Sequence, residues 1–249
     1  MSTPTVHDTD RVRWVSFNRP EKLNALTRDD IRSVTRAVQD LPADVRCLVF
    51  TGSGSRAFSA GVHVDTFDGL TPEDARQFIS ELGAMIAAAR RAPVPTLCAI
   101  QGYCLGGAME LAMACDLRVA STDAVFGMPE IKVGIPSVID AALLQQHLGL
   151  AKAKELLLTG DLYGVAELAP LGFVNKVVEP AALTEAATEL AARVTGHSPA
   201  AIAAQKRLFE TWQNASLEDS IKASIVEFAL VFADPGTQQR IASYRSGTS

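Results

Sequence analysis

The residues best suited to chemistry in this chain are two glutamates set among small apolar neighbours. In GYCLGGAMELAMACD (102–116), Gly106 and Gly107 lead into a run of Ala, Met, Leu and Cys that carries Glu110. Further on, in VFGMPEIKVGIP (125–136), Glu130 follows Gly-Met-Pro between apolar flanks. Two carboxylates in one low-dielectric pocket do not both ionise easily, so one pKa rises and the pair becomes an acid beside a base. A helix, a tight link, a short strand and a turn fit between them, so the chain can double back and bring them together. Gly106-Gly107 marks a helix start, where backbone N–H groups have no intrahelical partner and can meet an oxyanion. FSAGVHV (58–64) offers a second kink at Gly61, from which the backbone can supply a donor opposite Gly107.

Each feature has a plainer reading. Glu110 falls in a first helical turn, where the macrodipole stabilises negative charge by roughly 0.3–1 kcal/mol. The apolar residues all round that helix argue instead for burial, and a buried carboxylate is expensive unless it is paired or functional. Glu130 could be a surface residue after Pro129, the glycines could serve close packing alone, and 58–64 could be a surface loop.

The elements that must position these residues follow from pattern. Strands are expected at 12–17, 45–50, 96–100, 117–121 and 173–178, the second as a buried apolar run. Thr27-Arg-Asp-Asp30 starts a helix to about Gln39, and Thr71-Pro-Glu-Asp74 starts another to about Arg91. Residues 51–69 read as a long Gly/Ser-rich loop, and 107–115 as the helix carrying Glu110. Helices are expected at 143–148 and 152–158, a turn at LTGDLYG (158–164), and a short helix ending at Gly172. After about 195 the pattern is purely helical, with starts at Ser198-Pro199, Ser216–Asp219 and Asp234-Pro235. Sequential βα units with a helical tail indicate an α/β fold.

Composition bounds the rest. The 249 residues are 48% hydrophobic and 20% charged, with net charge −5, an ordinary globular balance. The densest basic spots, Arg90-Arg91 and Lys152/Lys154, are too short for a nucleic-acid patch. Cys47, Cys98, Cys104 and Cys115 form no CxxC pair and read as small buried hydrophobes of a reducing compartment, with Cys104 close enough to the glycine pair to line a pocket. The N-terminus lacks the basic and apolar regions of a signal peptide, and no apolar run approaches the roughly 20 residues that span a bilayer. The expectation is a soluble cytoplasmic protein without membrane or nucleic-acid partners.

Rival motifs fail on context. CLVFTGSGSRA resembles a dinucleotide fingerprint, but no helix follows it. AFSAG resembles a degenerate nucleophile elbow at Ser59, but His63, His147 and His197 carry no supporting signature. A Walker lysine and metal-ligand spacing are both missing, so no metal is expected.

Taken together, NRPEKLNAL, LVFTGSGSRAFSAG, PVPTLCAIQGYCLGGAMELAMACDLRVAS, FGMPEIKVGIP, LLLTGDLYG and LGFVNKVV resemble the enoyl-CoA hydratase/isomerase (crotonase) family, in order and spacing over nearly the whole chain. The resemblance implies a crotonase-like spiral of βα-type repeats over 1–194. It also implies a C-terminal helical region, 195–249, that builds homotrimers, often paired as homohexamers. It implies acyl-CoA thioesters as substrates, with coenzyme A carried by the substrate and no metal or redox cofactor. Glu110 and Glu130 then match the two catalytic glutamates, and the N–H groups of Val62 and Gly107 the oxyanion hole. Lys22, Ala25 and Leu26, together with Ala60, His63, Val64 and Gly106, fall where the family borders its substrate. Keeping both glutamates favours hydration of a 2-enoyl-CoA. The competing readings are isomerisation or C–C hydrolysis through the same enolate, and a non-catalytic acyl-CoA-binding subunit.

The chain departs from the family in two places. Val62-His63 replaces the usual Ala-Asp, which alters the pocket without removing a backbone donor. Ser137-Val138-Ile139-Asp140 replaces a glycine-rich turn after Pro136. There Asp140 is either a third acid at the site or the cap of a helix beginning at Ala141.

Overall fold

The computed structural model describes residues 3–246. The chain opens with β1 (Thr5–Thr9), β2 (Val12–Phe17), α1 (Arg28–Gln39), β3 (Cys47–Gly52), β4 (Ala57–Ser59) and α2 (Pro72–Arg90). It continues with β5 (Thr96–Ile100), β6 (Tyr103–Leu105), α3 (Gly107–Ala114), β7 (Leu117–Ser121) and β8 (Val125–Gly127). Then come α4 (Leu144–Leu148), α5 (Leu150–Thr159), β9 (Leu162–Gly164), α6 (Val165–Leu168), β10 (Lys176–Val178) and α7 (Leu183–Thr195). The chain closes with α8 (Pro199–Asn214), α9 (Leu217–Val231) and α10 (Pro235–Ser246). Two sheets organise the strands, in the orders β1-β2-β3-β5-β7-β10 and β4-β6-β8-β9.

The central strands of the first sheet, β3 and β5, are buried on both faces, and their sequences show why. Leu48 and Phe50 of β3, with Cys98 and Ile100 of β5, enter the core that also holds Phe17, Phe58, Met109 and Phe126. Their alternating neighbours Cys47, Val49, Leu97 and Ala99 enter a second core, closed by Leu183, Ala186, Ala187 and Ala191 of α7. A two-residue period with both sets apolar gives the continuous hydrophobic runs of a parallel sheet covered on each side.

The helix starts lie where local chemistry places them. Thr27 and Asp30 form a reciprocal capping box at α1, and Thr71 and Asp74 form another at α2, where Pro72 takes the first helical position. Asp30 also pairs with Arg19 at 2.8 Å, tying the helix start to the preceding turn.

Several expectations need correction. β1 pairs antiparallel with β2 although all five of its residues are exposed; a polar edge strand leaves no apolar pattern to read. The stretch 51–69 is less loop than expected, since it holds β4 and a 3₁₀ turn at Val64–Phe67. The 158–164 turn contains β9, and the strand at 173–178 shrinks to β10. The four cysteines are free and buried; Cys104 is fully buried in the main core and does not line a pocket.

Candidate active site

Topology brings the two glutamates together. β4, β6 and β8 run parallel as neighbours, with Leu105 opposite Gly127. The segments leaving their C-terminal ends therefore emerge side by side: 60–62 after β4, α3 after β6 and a 3₁₀ turn, Pro129–Val133, after β8. The open ends of parallel strands are where α/β sheets place their ligand crevices.

Gly106 makes the corner between β6 and α3. Its φ of 53° lies in the left-handed region, and its N–H donates to the Gly127 carbonyl at 2.9 Å. A Cβ at this position would stand 2.5 Å from Glu130 Oε1, so the glycine also makes room for the second acid. α3 is buried along its entire length, and Glu110 in its first turn is 3% exposed. Glu130 sits just after Pro129, in the turn that Gly134 ends at φ 82°.

Glu110, Glu130, Gly106 and Gly107 line one cavity of about 250 Å³. The lining is otherwise mainly apolar, with Phe67, Ile79, Leu82 and Ile135 among its walls. Val62 lines it as well, and its side chain is 3.8 Å from the place a Cβ on Gly107 would take. The flanking groups of Val62 are engaged by Leu26: the Leu26 N–H donates to the Gly61 carbonyl at 2.7 Å, and the His63 N–H donates to the Leu26 carbonyl at 2.9 Å. Such a parallel bridge turns the N–H of Val62 itself to the opposite side. The N–H of Gly107, first in its helix, has no intrahelical acceptor.

Both carboxyl groups hold protons more tightly than exposed glutamates do. Burial pushes Glu110 up to about 9, helped by the charges of Glu130 and Asp140 and opposed by the Ala141 N–H. Burial also raises Glu130, against its own backbone N–H and the hydroxyl of Ser137, both of which favour the carboxylate. The expectation that one pKa of the pair rises is thus corrected: both rise, because neither group keeps its full hydration.

The remaining expected residues divide. Ala60 and Val64 line the central cavity. Lys22 and His63 line an adjoining cleft of about 550 Å³ with Arg19, Thr27 and Asp65. Val64, Asp65, Phe67, Val133 and Ile135 border the surface between the two. Ala25 and Leu26 are buried, at 7% and 1% exposure, and line neither the central cavity nor the adjoining cleft. Asp140 caps no helix, since the 3₁₀ turn Ile139–Leu143 has no side-chain cap; it is not among the cavity-lining residues, pairs with Arg90 at 3.3 Å, and acts on Glu110 through its charge. Its neighbour Ile139 takes φ 42°, a conformation that costs a β-branched residue about 1–3 kcal/mol.

Sequence reasoning passed over Ser137 as a contact of Glu130, although its hydroxyl donates to Glu130 Oε2 at 2.9 Å. The available signal was a lone hydroxyl in a segment where glycines were expected. Lys132 also lines the cavity, and nothing in its local sequence sets it apart from a surface lysine. Among the described residues, no three or more His, Cys, Asp or Glu side chains are gathered so as to hold a metal ion.

The sequence matches the family described as Enoyl-CoA hydratase/isomerase over residues 8–245. It is 33% identical over 240 residues to the crotonyl-CoA hydratase of Syntrophomonas wolfei, covering 94% of this chain and 92% of the relative. It is 32% identical over 221 residues to the (E)-benzylidenesuccinyl-CoA hydratase of Thauera aromatica, covering 87% and 86%. Among solved structures, an enoyl-CoA hydratase from Mycobacterium smegmatis superposes with a TM-score of 0.94 at 25% identity, covering 99% of this chain and 97% of that one.

Proposed function

The chain belongs to the enoyl-CoA hydratase/isomerase family, and from that premise we propose that it adds water reversibly to a 2-enoyl-CoA thioester. The observation that carries this reading is the pair of carboxylates, buried Glu110 and half-buried Glu130, lining one cavity with Val62 and Gly107, whose backbone N–H groups are the donors of this reading.

In the hydration direction the N–H groups of Val62 and Gly107 hold the thioester oxygen. The carboxylate of Glu110 takes a proton from water as the water oxygen attacks Cβ. The π electrons move onto the thioester oxygen as an enolate, which the two donors stabilise. The enolate then collapses and takes a proton at Cα from Glu130, acting as general acid. The net result is H and OH across the double bond, and the proton of the pair passes from Glu130 to Glu110. Elimination runs the same steps backwards. Holding water and thioester together contributes by proximity.

Lys22 and His63 line the cleft beside the cavity, and in this reading they border the CoA moiety. A cavity of about 250 Å³ lies at the small end of ligand pockets, which favours a short acyl group. Coenzyme A enters with the substrate, and the reaction as written requires no other cofactor. No helix among the described residues is long and apolar enough to cross a membrane; the cytoplasmic location is part of the proposal. The proposed assembly is a homotrimer or homohexamer built through the C-terminal helices.

The test is conversion of crotonyl-CoA to 3-hydroxybutyryl-CoA, followed by product analysis. Stoichiometric hydration supports the reading; a folded enzyme that converts neither crotonyl-CoA nor a panel of branched and aromatic enoyl thioesters overturns it. A second reading, double-bond isomerisation, draws on the replaced glycine turn at 137–140. It predicts a shifted double bond with no added water.

A further inference from the structure

We propose that Ser137 is a positioning residue: its hydroxyl fixes the Glu130 carboxylate, so that the resting enzyme keeps Glu130 as proton acceptor and Glu110 as proton donor. The proposal rests on the hydration–elimination reading above. It concerns which of the two glutamates holds the proton before substrate arrives.

The geometry is local and specific. Ser137 Oγ donates to Glu130 Oε2 at 2.9 Å, and both residues line the cavity. The other carboxylate oxygen, Oε1, lies over Gly106, with the space of a missing Cβ between them. One oxygen is thus held by a hydroxyl and the other by shape, which fixes the plane of the carboxylate. A hydrogen bond to a charged acceptor is stronger than one to a neutral acceptor, so a donor held here favours the ionised form. Glu110 has a different setting. It lies deeper, on a helix buried along its whole length, and its neighbours include the negative charges of Glu130 and Asp140. Burial and negative neighbours favour the protonated form.

The other charged groups around the pair do not reverse this order. Arg90 on α2 faces Asp140 at 3.3 Å and also pairs with Glu210 on α8, where Arg91 contributes a further contact. Lys132, on the same turn as Glu130, pairs with Asp161 at 3.3 Å. On α5, which packs against that turn, Lys152 pairs with Glu155 at 2.9 Å. His63 and Asp65, at the cavity edge, face each other at 3.5 Å.

The consequence is directional. A resting pair with the proton on Glu110 and a carboxylate at Glu130 is set for elimination from a 3-hydroxyacyl-CoA. Glu130 takes the Cα proton, the C–H electrons form the double bond, and the hydroxyl leaves with its electron pair and takes the Glu110 proton as water. Before hydration, the proton must first move from Glu110 to Glu130.

The experiment has two arms. In the first, carboxyl-labelled glutamate is followed by carbon NMR across pH in the wild type, with Glu110→Gln and Glu130→Gln used to assign the two signals. The expected result is that Glu130 ionises at lower pH than Glu110, and that Ser137→Ala moves the Glu130 midpoint up by about one pH unit. In the second arm, kcat/KM for crotonyl-CoA is measured against pH. Ser137→Ala should move the acid limb up by a similar amount, and Ser137→Thr should restore it. Glu110 ionising first in the wild type overturns the proposal, as does an acid limb unmoved in folded Ser137→Ala. Silence of the wild type on every enoyl thioester would sink the hydratase reading alone, and the NMR titration would still decide the role of Ser137.

Discussion

At the scale of single residues the chemistry of the site turns on protons. Glu110 has its pKa raised from 4.5 to about 9, so in the folded state it binds a proton that the unfolded chain releases at much lower pH. The sign follows: its contribution to stability is fully present below the ordinary glutamate value and is lost as pH rises towards 9. Glu110→Gln removes that penalty. The variant should therefore match the wild type in thermal stability near pH 4.5 and exceed it increasingly towards pH 9, by several degrees at the upper end. Melting curves across that range check the prediction, and a constant difference between the two proteins would contradict it. Gly106 offers a second residue-scale expectation. An alanine there would carry a side chain at φ 53° and place its Cβ 2.5 Å from Glu130 Oε1. Gly106→Ala should lower kcat at least about 100-fold by displacing the acid. Near-normal kcat in a folded Gly106→Ala would show that the carboxylate does not depend on this gap.

At the scale of elements, the site is a product of three parallel strands rather than of any one motif. α3 carries Glu110, the turn after β8 carries Glu130, and the segment after β4 carries Val62, and adjacency of β4, β6 and β8 aligns all three. Much of this was legible in the sequence. The glycine pair and the apolar run after it gave the buried helix, and the Thr-x-x-Asp boxes gave the starts of α1 and α2. What was not legible has a physical reason in each case. β1 is held by edge pairing with β2 and exposes every side chain, so it has no apolar face to read. β4, β8 and β9 are three residues each, too short for any period to show. The cap expected of Asp140 gave way to an ion pair with Arg90, which lies fifty residues earlier and enters only through tertiary packing. For the same reason the Ser137 contact needed three dimensions: a hydroxyl in a loop names no partner. The α1 capping box is testable directly. Thr27→Ala should lower stability by about 1 kcal/mol while leaving the pH dependence of turnover unchanged. No measurable loss in chemical denaturation would contradict the capping assignment.

At the scale of the whole molecule, the C-terminal helices divide into an anchored part and an open part. α8 is fixed to the core: Lys206, 7% exposed, pairs with Asp116 at 2.5 Å, and Glu210 meets Arg90 and Arg91. α9 instead leaves Leu217, Ile221, Ile225 and Phe228 exposed, spaced three or four residues apart along one face. A stripe of that size in contact with water is unusual for a monomer and suits a neighbouring copy. The proposed assembly predicts a trimer or a pair of trimers in sedimentation, and if the α9 stripe is its contact, Ile225→Asp combined with Phe228→Asp should shift the mass towards the monomer. A wild-type monomer at micromolar concentration would contradict the proposed assembly.

The measurement that bears most directly on the central claim is loss of the conjugated enoyl-thioester absorbance of crotonyl-CoA, with wild type, Glu110→Gln and Glu130→Gln side by side. The account predicts rapid loss with the wild type and rates lower by about 100- to 10,000-fold in each variant, with all three proteins folded. Comparable rates in either variant would contradict it, and retention of turnover in Glu110→Gln alone would move the chemistry from hydration to isomerisation.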